Sequence, residues 1–288
     1  MRYFLVTTEH LENKVWFRDF DDFRTAMNLV AVVSMTLRVN VLAFILMSNH
    51  VHFVLGCEKW KAEMFTNELK KQYSRYFRLK YGVKELLRGN KNDIQEVSLE
   101  QESLERAIAY VLMNCVAANI CAAPFSYIWG TGSAYFRGAP AEGKRLDSFS
   151  GRRQARLLHS KAKLPGSLLV GKDGFILPES YVKVGFVESL FRTPKRFNYF
   201  LNNSSKAKRR LLSTSKLDFL FPEVGHFPVT GGGGVDSVPN PVGWTRLGLD
   251  QIFEHGVERH ACGIQLRGQL PNDSREAGDH SFAVVIIC

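Results

Sequence analysis

Two short stretches hold side chains able to do chemistry together. In His50-Val51-His52 the imidazoles stand two apart. On a β-strand that spacing puts both on one face and Val51 on the other. Two imidazoles side by side supply two-thirds of a divalent-metal site; a His-x-His pair arising by chance in a solvent-washed hairpin is the competing reading. Farther on, Tyr110 and Asn114 lie four apart. A helix stacks them on one face, beside the apolar stripe Leu104, Ile108, Val111 and Cys115. An amide oxygen is a competent ligand for a hard cation, and a tyrosine one turn earlier would sit next to it. The plainer alternative is a Tyr and an Asn at a half-buried helix edge.

The elements that must position these groups are read from hydropathy. Tyr3–His10 alternates as a strand. Asp21–Val39 is predicted as a helix capped by Asp21, with Phe23, Met27, Val30 and Leu37 on its apolar face. The dense run Asn40–Met47, a Ser48-Asn49 turn and a return over His50–Leu55 predict a buried hairpin. Lys61–Tyr81 reads as a basic amphipathic helix closed by Gly82, and Lys84–Val97 as polar loop. Ser98–Ala118 reads as one helix opened by a Ser98/Gln101 capping box. That order predicts an α+β fold with helices on one face of an antiparallel sheet. On the basic helix, Lys70, Lys71, Tyr73, Arg75 and Arg78 interleave cations with an aromatic ring, a pattern suited to the bases and phosphates of a single strand. A helix that turns its aromatics inward is the equal alternative.

Composition narrows the partners. The chain has 288 residues, with 38 Lys and Arg against 28 Asp and Glu, a net charge of +10. An excess of that size favours a polyanion, and nucleic acid is the commonest one. The excess is uneven: residues 217–288 hold four Arg and nine acidic residues, a net of −5, which leaves +15 on residues 1–216. The same tail holds 11 of 23 glycines and 5 of 10 prolines, so it is expected to be loosely ordered. No apolar run reaches the ~18–20 residues of a membrane-spanning helix, and no membrane partner is expected. Five cysteines without a CxxC pair suit a reducing, cytoplasmic setting. Arg152-Arg153-Gln154-Ala155-Arg156, Lys195-Arg196 and Lys206–Arg210 are further basic clusters, able to grip phosphates or to remain a solvated surface.

The block Ala43–Leu55, with Met47-Ser48-Asn49-His50-Val51-His52-Phe53, resembles the M-P-N-H-x-H motif of single-tyrosine HUH transposases. Within that group it is most similar to the REP-associated tyrosine transposases. Ala109–Ile120 resembles their Y-I-h-x-N-P-V-x-A-G-L segment, and Tyr127–Gly132 looks like the Y-P-W-S-S-Y stretch that follows. The resemblance spans residues 1–137 in the right order. It implies a ferredoxin-like or RRM-like sheet, Tyr110 as nucleophile, and His50, His52 and Asn114 as ligands of Mg²⁺ or Mn²⁺. It also implies a single-stranded DNA partner with hairpins at repeat or element ends, handled by a monomer or a homodimer in the cytoplasm, at the nucleoid. Beyond the resemblance, charge and composition make residues 138–216 a basic helical extension able to bind DNA, and 217–288 an acidic Gly/Pro-rich tail that matches nothing in the family. The chain departs from the family in three places. Ser48 replaces a Pro and should loosen the turn. Cys115 replaces the Pro after Asn114, so the helix is expected to run on. Lys84–Asp93 lacks the G-x-L-W/F-x-x-R-F/H stretch that the family uses on DNA.

The expectation is therefore a metal-dependent transposase that cleaves and rejoins single-stranded DNA through a 5′-phosphotyrosine. The alternative is a non-catalytic single-stranded nucleic-acid binder, either a decayed transposase or an RRM-like protein. A metal hydrolase using water is a third reading, and its cleavage would survive loss of Tyr110.

Overall fold

Four strands pair edge to edge in the order β2-β3-β1-β4, every neighbour antiparallel: β1 (Arg2–Thr8), β2 (Asn40–Met47), β3 (His50–Cys57) and β4 (Asn92–Val97). The computed structural model describes residues 1–11 and 14–214, with side chains as far as 204. The acidic tail and its glycine run lie outside the described residues. The fold is mixed α+β, and the hairpin reading of β2 and β3 holds. Met47 pairs His50 across the two-residue Ser48-Asn49 turn, and a register shift interrupts the ladder between Val41 and Ala43.

Helix α1 (Phe20–Leu37) follows β1, and α2 (Lys59–Tyr81) follows β3. The cap of α1 is Asp19, not Asp21: its side chain accepts from the Asp22 N–H at 3.0 Å. Arg38, in the left-handed conformation, closes its other end: its backbone N–H donates to Met35 O, and that of Val39 to Ser34 O at 3.0 Å. Gly82 closes α2 at φ 68°, as its position after the last helical turn requires. The helices pack on each other, and α2 lies on the sheet through Phe65, whose ring meets Phe53 at 5.1 Å between centroids.

The expectation of helices on one face alone is corrected. Side chains alternate along β3, so His52 points away from Phe53, and its ring meets Tyr110 at 5.7 Å. Tyr110 belongs to α3 (Ser103–Leu112), which therefore covers the opposite face. Burial on both faces explains why β2 and β3 read as continuous apolar runs.

Two further corrections bear on the site. The stretch read as polar loop contains β4, an edge strand largely open to solvent whose sequence, NDIQEV, shows little alternation. And Ser98–Ala118 is not one helix. Ser98 Oγ accepts from the Glu100 N–H at 2.9 Å instead of boxing with Gln101. Gln101 and Glu102 then take left-handed backbone, so α3 begins only at Ser103. It ends at Leu112, and a separate turn, α4 (Asn114–Ala117), follows Met113, even though Cys115 replaces a helix-breaking Pro.

Beyond residue 137 the chain packs onto the same core. A small hairpin of β5 (Lys144–Arg145) and β6 (Leu169–Val170) flanks α5 (Gly151–Leu158). Then α6 (Val184–Phe191) and α7 (Pro194–Thr214) follow, and Leu146, Ile176, Val187, Phe191 and Phe197 join one buried cluster with the sheet. The outer edge of β2 is covered: Leu46 donates to Trp129 O at 2.8 Å, Thr131 to Phe44 O at 3.0 Å and Lys183 to Val41 O at 3.0 Å. The α7 side chain of Arg196 pairs with Glu102 at the start of α3, at 2.9 Å.

Candidate active site

The site is built where β1 ends and β3 begins. His50 and His52 share a face, their rings 4.7 Å apart and nearly perpendicular at 88°. Both are buried, at 4% and 2% exposure, so the reading of a solvent-washed hairpin is excluded. Each ring is gripped at Nδ1. Asn49 Oδ1 lies 2.7 Å from His50 Nδ1 and accepts its proton. Thr7 Oγ1, directly across the ladder, lies 2.9 Å from His52 Nδ1. With Nδ1 held in both rings, Nε2 is the nitrogen oriented for a ligand.

The structure brings Tyr110 against this pair, its ring at 86° to that of His52. Tyr110 is half-buried, and its phenol is raised above the ordinary tyrosine value, by burial first and then by the carboxylate of Asp93. Asp93 enters through the ladder: it pairs Thr7, which pairs His52, so the three form one row across the sheet facing α3. Asn114 is also buried. Its Nδ2 donates to Tyr110 O at 2.8 Å and to Val111 O at 3.2 Å. That amide satisfies carbonyls left at the end of α3, which is why the helix breaks there without a proline. The same bonds hold Asn114 one turn from Tyr110 and leave its Oδ1 as the atom with metal-ligand chemistry.

Among the described residues, no group of three or more His, Cys, Asp or Glu side chains is placed to hold a metal ion. Thr7, Asn49, His10 and Asp93 were missed in the sequence. His10 stacks on His50 at 3.7 Å and 14°. Only the β1 registers, fixed by folding, assign Thr7 and Asp93 to this face; Asn49, next to His50, was read as turn.

The DNA-binding set on α2 divides in two. Lys71, Arg75 and Arg78 are exposed. Lys70 and Tyr73 are not: they face the core, and their role as contacts for a nucleic acid is corrected. Lys70 Nζ donates to Asn90 O at 2.6 Å and to Lys91 O at 3.2 Å, and burial lowers its pKa to about 8. Tyr73, 1% exposed, donates its hydroxyl to Trp16 O. Positions 70, 73 and 77 fall on the inner face of α2, as helical period requires.

No protein-family model matches the chain. No curated protein is similar to it. Among solved structures, a REP-associated tyrosine transposase bound to a REP hairpin is similar at a TM-score of 0.37 and 11% identity, over 45% of this chain and 76% of that one. A likeness so slight carries no argument about function. Among the described residues, no helix is long and apolar enough to cross a membrane.

Proposed function

We propose that the protein is a DNA strand transferase of the transposase type, which cleaves and rejoins single-stranded DNA at hairpin-bearing ends with Tyr110 as nucleophile. One observation carries the reading: two buried imidazoles, each tied at Nδ1, stand beside a tyrosine ring supplied from a different element. The sheet order, with α1 and α2 as crossovers, also supports the ferredoxin-like reading.

His50, His52 and Asn114 would hold a divalent cation, Mg²⁺ or Mn²⁺; the tethered rings and the amide oxygen form a donor set that fits one. When bound, such a cation neutralises phosphate charge and favours in-line displacement. The chain's own part is positioning. Thr7 and Asn49 fix the imidazoles, and α3 brings the Tyr110 ring against that of His52. Tyr110 Oη attacks phosphorus and loses its proton to solvent; the P–O3′ bond breaks and the departing oxygen takes up a proton from solvent, leaving a free 3′-hydroxyl and a 5′-phosphotyrosine. A second 3′-hydroxyl reverses the step, restoring the phosphodiester and the phenol without ATP. The exposed cations Lys71, Arg75 and Arg78 would contact phosphates of the same strand.

Incubation with Mn²⁺ and a labelled single-stranded hairpin oligonucleotide tests this. A protein–DNA adduct stable to denaturing gels is expected, and it should vanish in Tyr110→Phe while binding persists. Cleavage that survives Tyr110→Phe would identify a hydrolase using water. Binding with no adduct on any hairpin from repeats flanking the gene would favour the non-catalytic binder.

A further inference from the structure

A second collection of charge lies against α1, in the layer opposite the imidazole face. A cleft of about 760 Å³ opens among β5, α5 and the turn after β6. Its charged walls are Arg137, Lys144, Arg153 and Lys172 against Glu142 and Asp173. Arg137 is paired with Glu179. Among the described residues, Lys144, Arg153 and Lys172 make no ion pair, and they come from three separate elements. The Arg153 guanidinium lies over the Phe149 ring at 4.7 Å from its centroid, which fixes its position. With four cations against two carboxylates the walls are net positive, which raises the local potential and favours an anionic ligand.

The walls are preformed. Asn28, a buried side chain of α1, donates to Leu157 O at 3.0 Å and Gly174 O at 3.2 Å and accepts from the Ile176 N–H at 2.8 Å. That one amide ties α5 and both sides of the turn after β6 to the main body. Gly143 and Gly171 let the walls close up: a Cβ would lie 2.9 Å from Val170 O at the first and 2.6 Å from a Leu177 methyl at the second.

We infer that this cleft binds the sugar–phosphate backbone of single-stranded DNA, as an anchor separate from the site of strand transfer. Its volume is that of a pocket for a small organic ligand, more than a lone phosphate needs. Phe149, Leu157 and Leu177 give it an apolar floor for sugars and bases. The inference rests on the strand-transfer reading only in its choice of DNA.

The test is fluorescence anisotropy of a labelled oligothymidine on the full chain in EDTA, where no strand transfer can occur. Lys144→Glu/Lys172→Glu should weaken binding at least about tenfold and flatten the slope of log K against log salt by about 1.4, at ~0.7 for each single-strand phosphate contact. Lys161→Glu/Lys163→Glu changes the net charge equally outside the cleft and should leave the slope unchanged. Equal losses in both variants, or none in the first, would overturn the proposal. So would displacement of the oligonucleotide by an equal concentration of inorganic pyrophosphate, which would mark the cleft as a site for small polyphosphates. With Mn²⁺ and saturating hairpin DNA, the cleft variant should still form the Tyr110 adduct. Failure of the adduct in every variant, with the anisotropy result intact, would remove strand transfer and leave the cleft standing.

Discussion

Thr7 and Asn49 are the least conspicuous residues of the candidate site, yet each holds an imidazole by the nitrogen that would face away from a cation. Groups of this kind set tautomer and ring angle, and their loss commonly lowers metal affinity 10–100-fold. Asn49→Ala and Thr7→Val should each weaken Mn²⁺ binding in calorimetric titration by about that factor, with circular dichroism unchanged. Wild-type affinity in both would show that the rings are positioned by packing alone. The His50/His52 pair was legible because period two depends only on local backbone. Thr7 was not, since a threonine near the end of a strand is ordinary until folding sets it opposite His52.

Helix α2 shows how an element sorts a cluster that the sequence presents as uniform. Its inner side chains, Lys70 and Tyr73, serve the fold, whereas Lys71, Arg75 and Arg78 face water. Lys71→Ala, Arg75→Ala and Arg78→Ala should each reduce single-strand affinity about uniformly across sequences and lower the salt slope by about 0.7. Lys70→Met should leave both unchanged; a loss matching that of its neighbours would contradict its assignment to the interior. At the other end of α2, Lys80 donates to Asp19 at 2.6 Å and to Asp22 at 2.8 Å. Burial alone would raise the Asp19 carboxyl, but hydrogen bonds from Lys80, the Asp22 N–H and Tyr81 outweigh it and hold the group below its usual 3.8. A depressed carboxyl stabilises the fold above its unfolded pKa, and the gain is lost as pH falls through the lower folded value. Asp19→Ala should therefore cost about 1 kcal/mol at neutral pH, the usual worth of an N-cap. In urea melts its deficit from wild type should shrink as the solution is acidified below pH ~4. A deficit independent of pH would assign the effect to packing.

At the scale of the molecule, Asn28 joins parts of the chain more than a hundred residues apart. Asn28→Ala would strand two carbonyls and one N–H in the interior, at about 1–3 kcal/mol for each left unsatisfied. The expected result is a loss of at least about 2 kcal/mol, with limited proteolysis starting in residues 157–176. Unchanged protection of that segment would mean that its apolar contacts alone hold it. The chain beyond residue 137 reads as a basic extension, whereas Leu146, Ile176 and Phe197 share a core with the sheet.

The sequence alone determined whatever depends on neighbours a few residues away: the paired imidazoles, the hairpin that carries them, the amphipathic α2 and its glycine cap. Tertiary structure decided whatever depends on register and layer. Pairing of β1 with β3 and β4 set Thr7 and Asp93 beside His52. The packing of α3 on the second face brought Tyr110 to the imidazoles, and the Asn114 amide ended that helix where residue type predicted it would continue. Local propensity is a matter of tenths of a kcal/mol per residue, so buried hydrogen bonds and apolar contacts between distant segments override it wherever the two disagree.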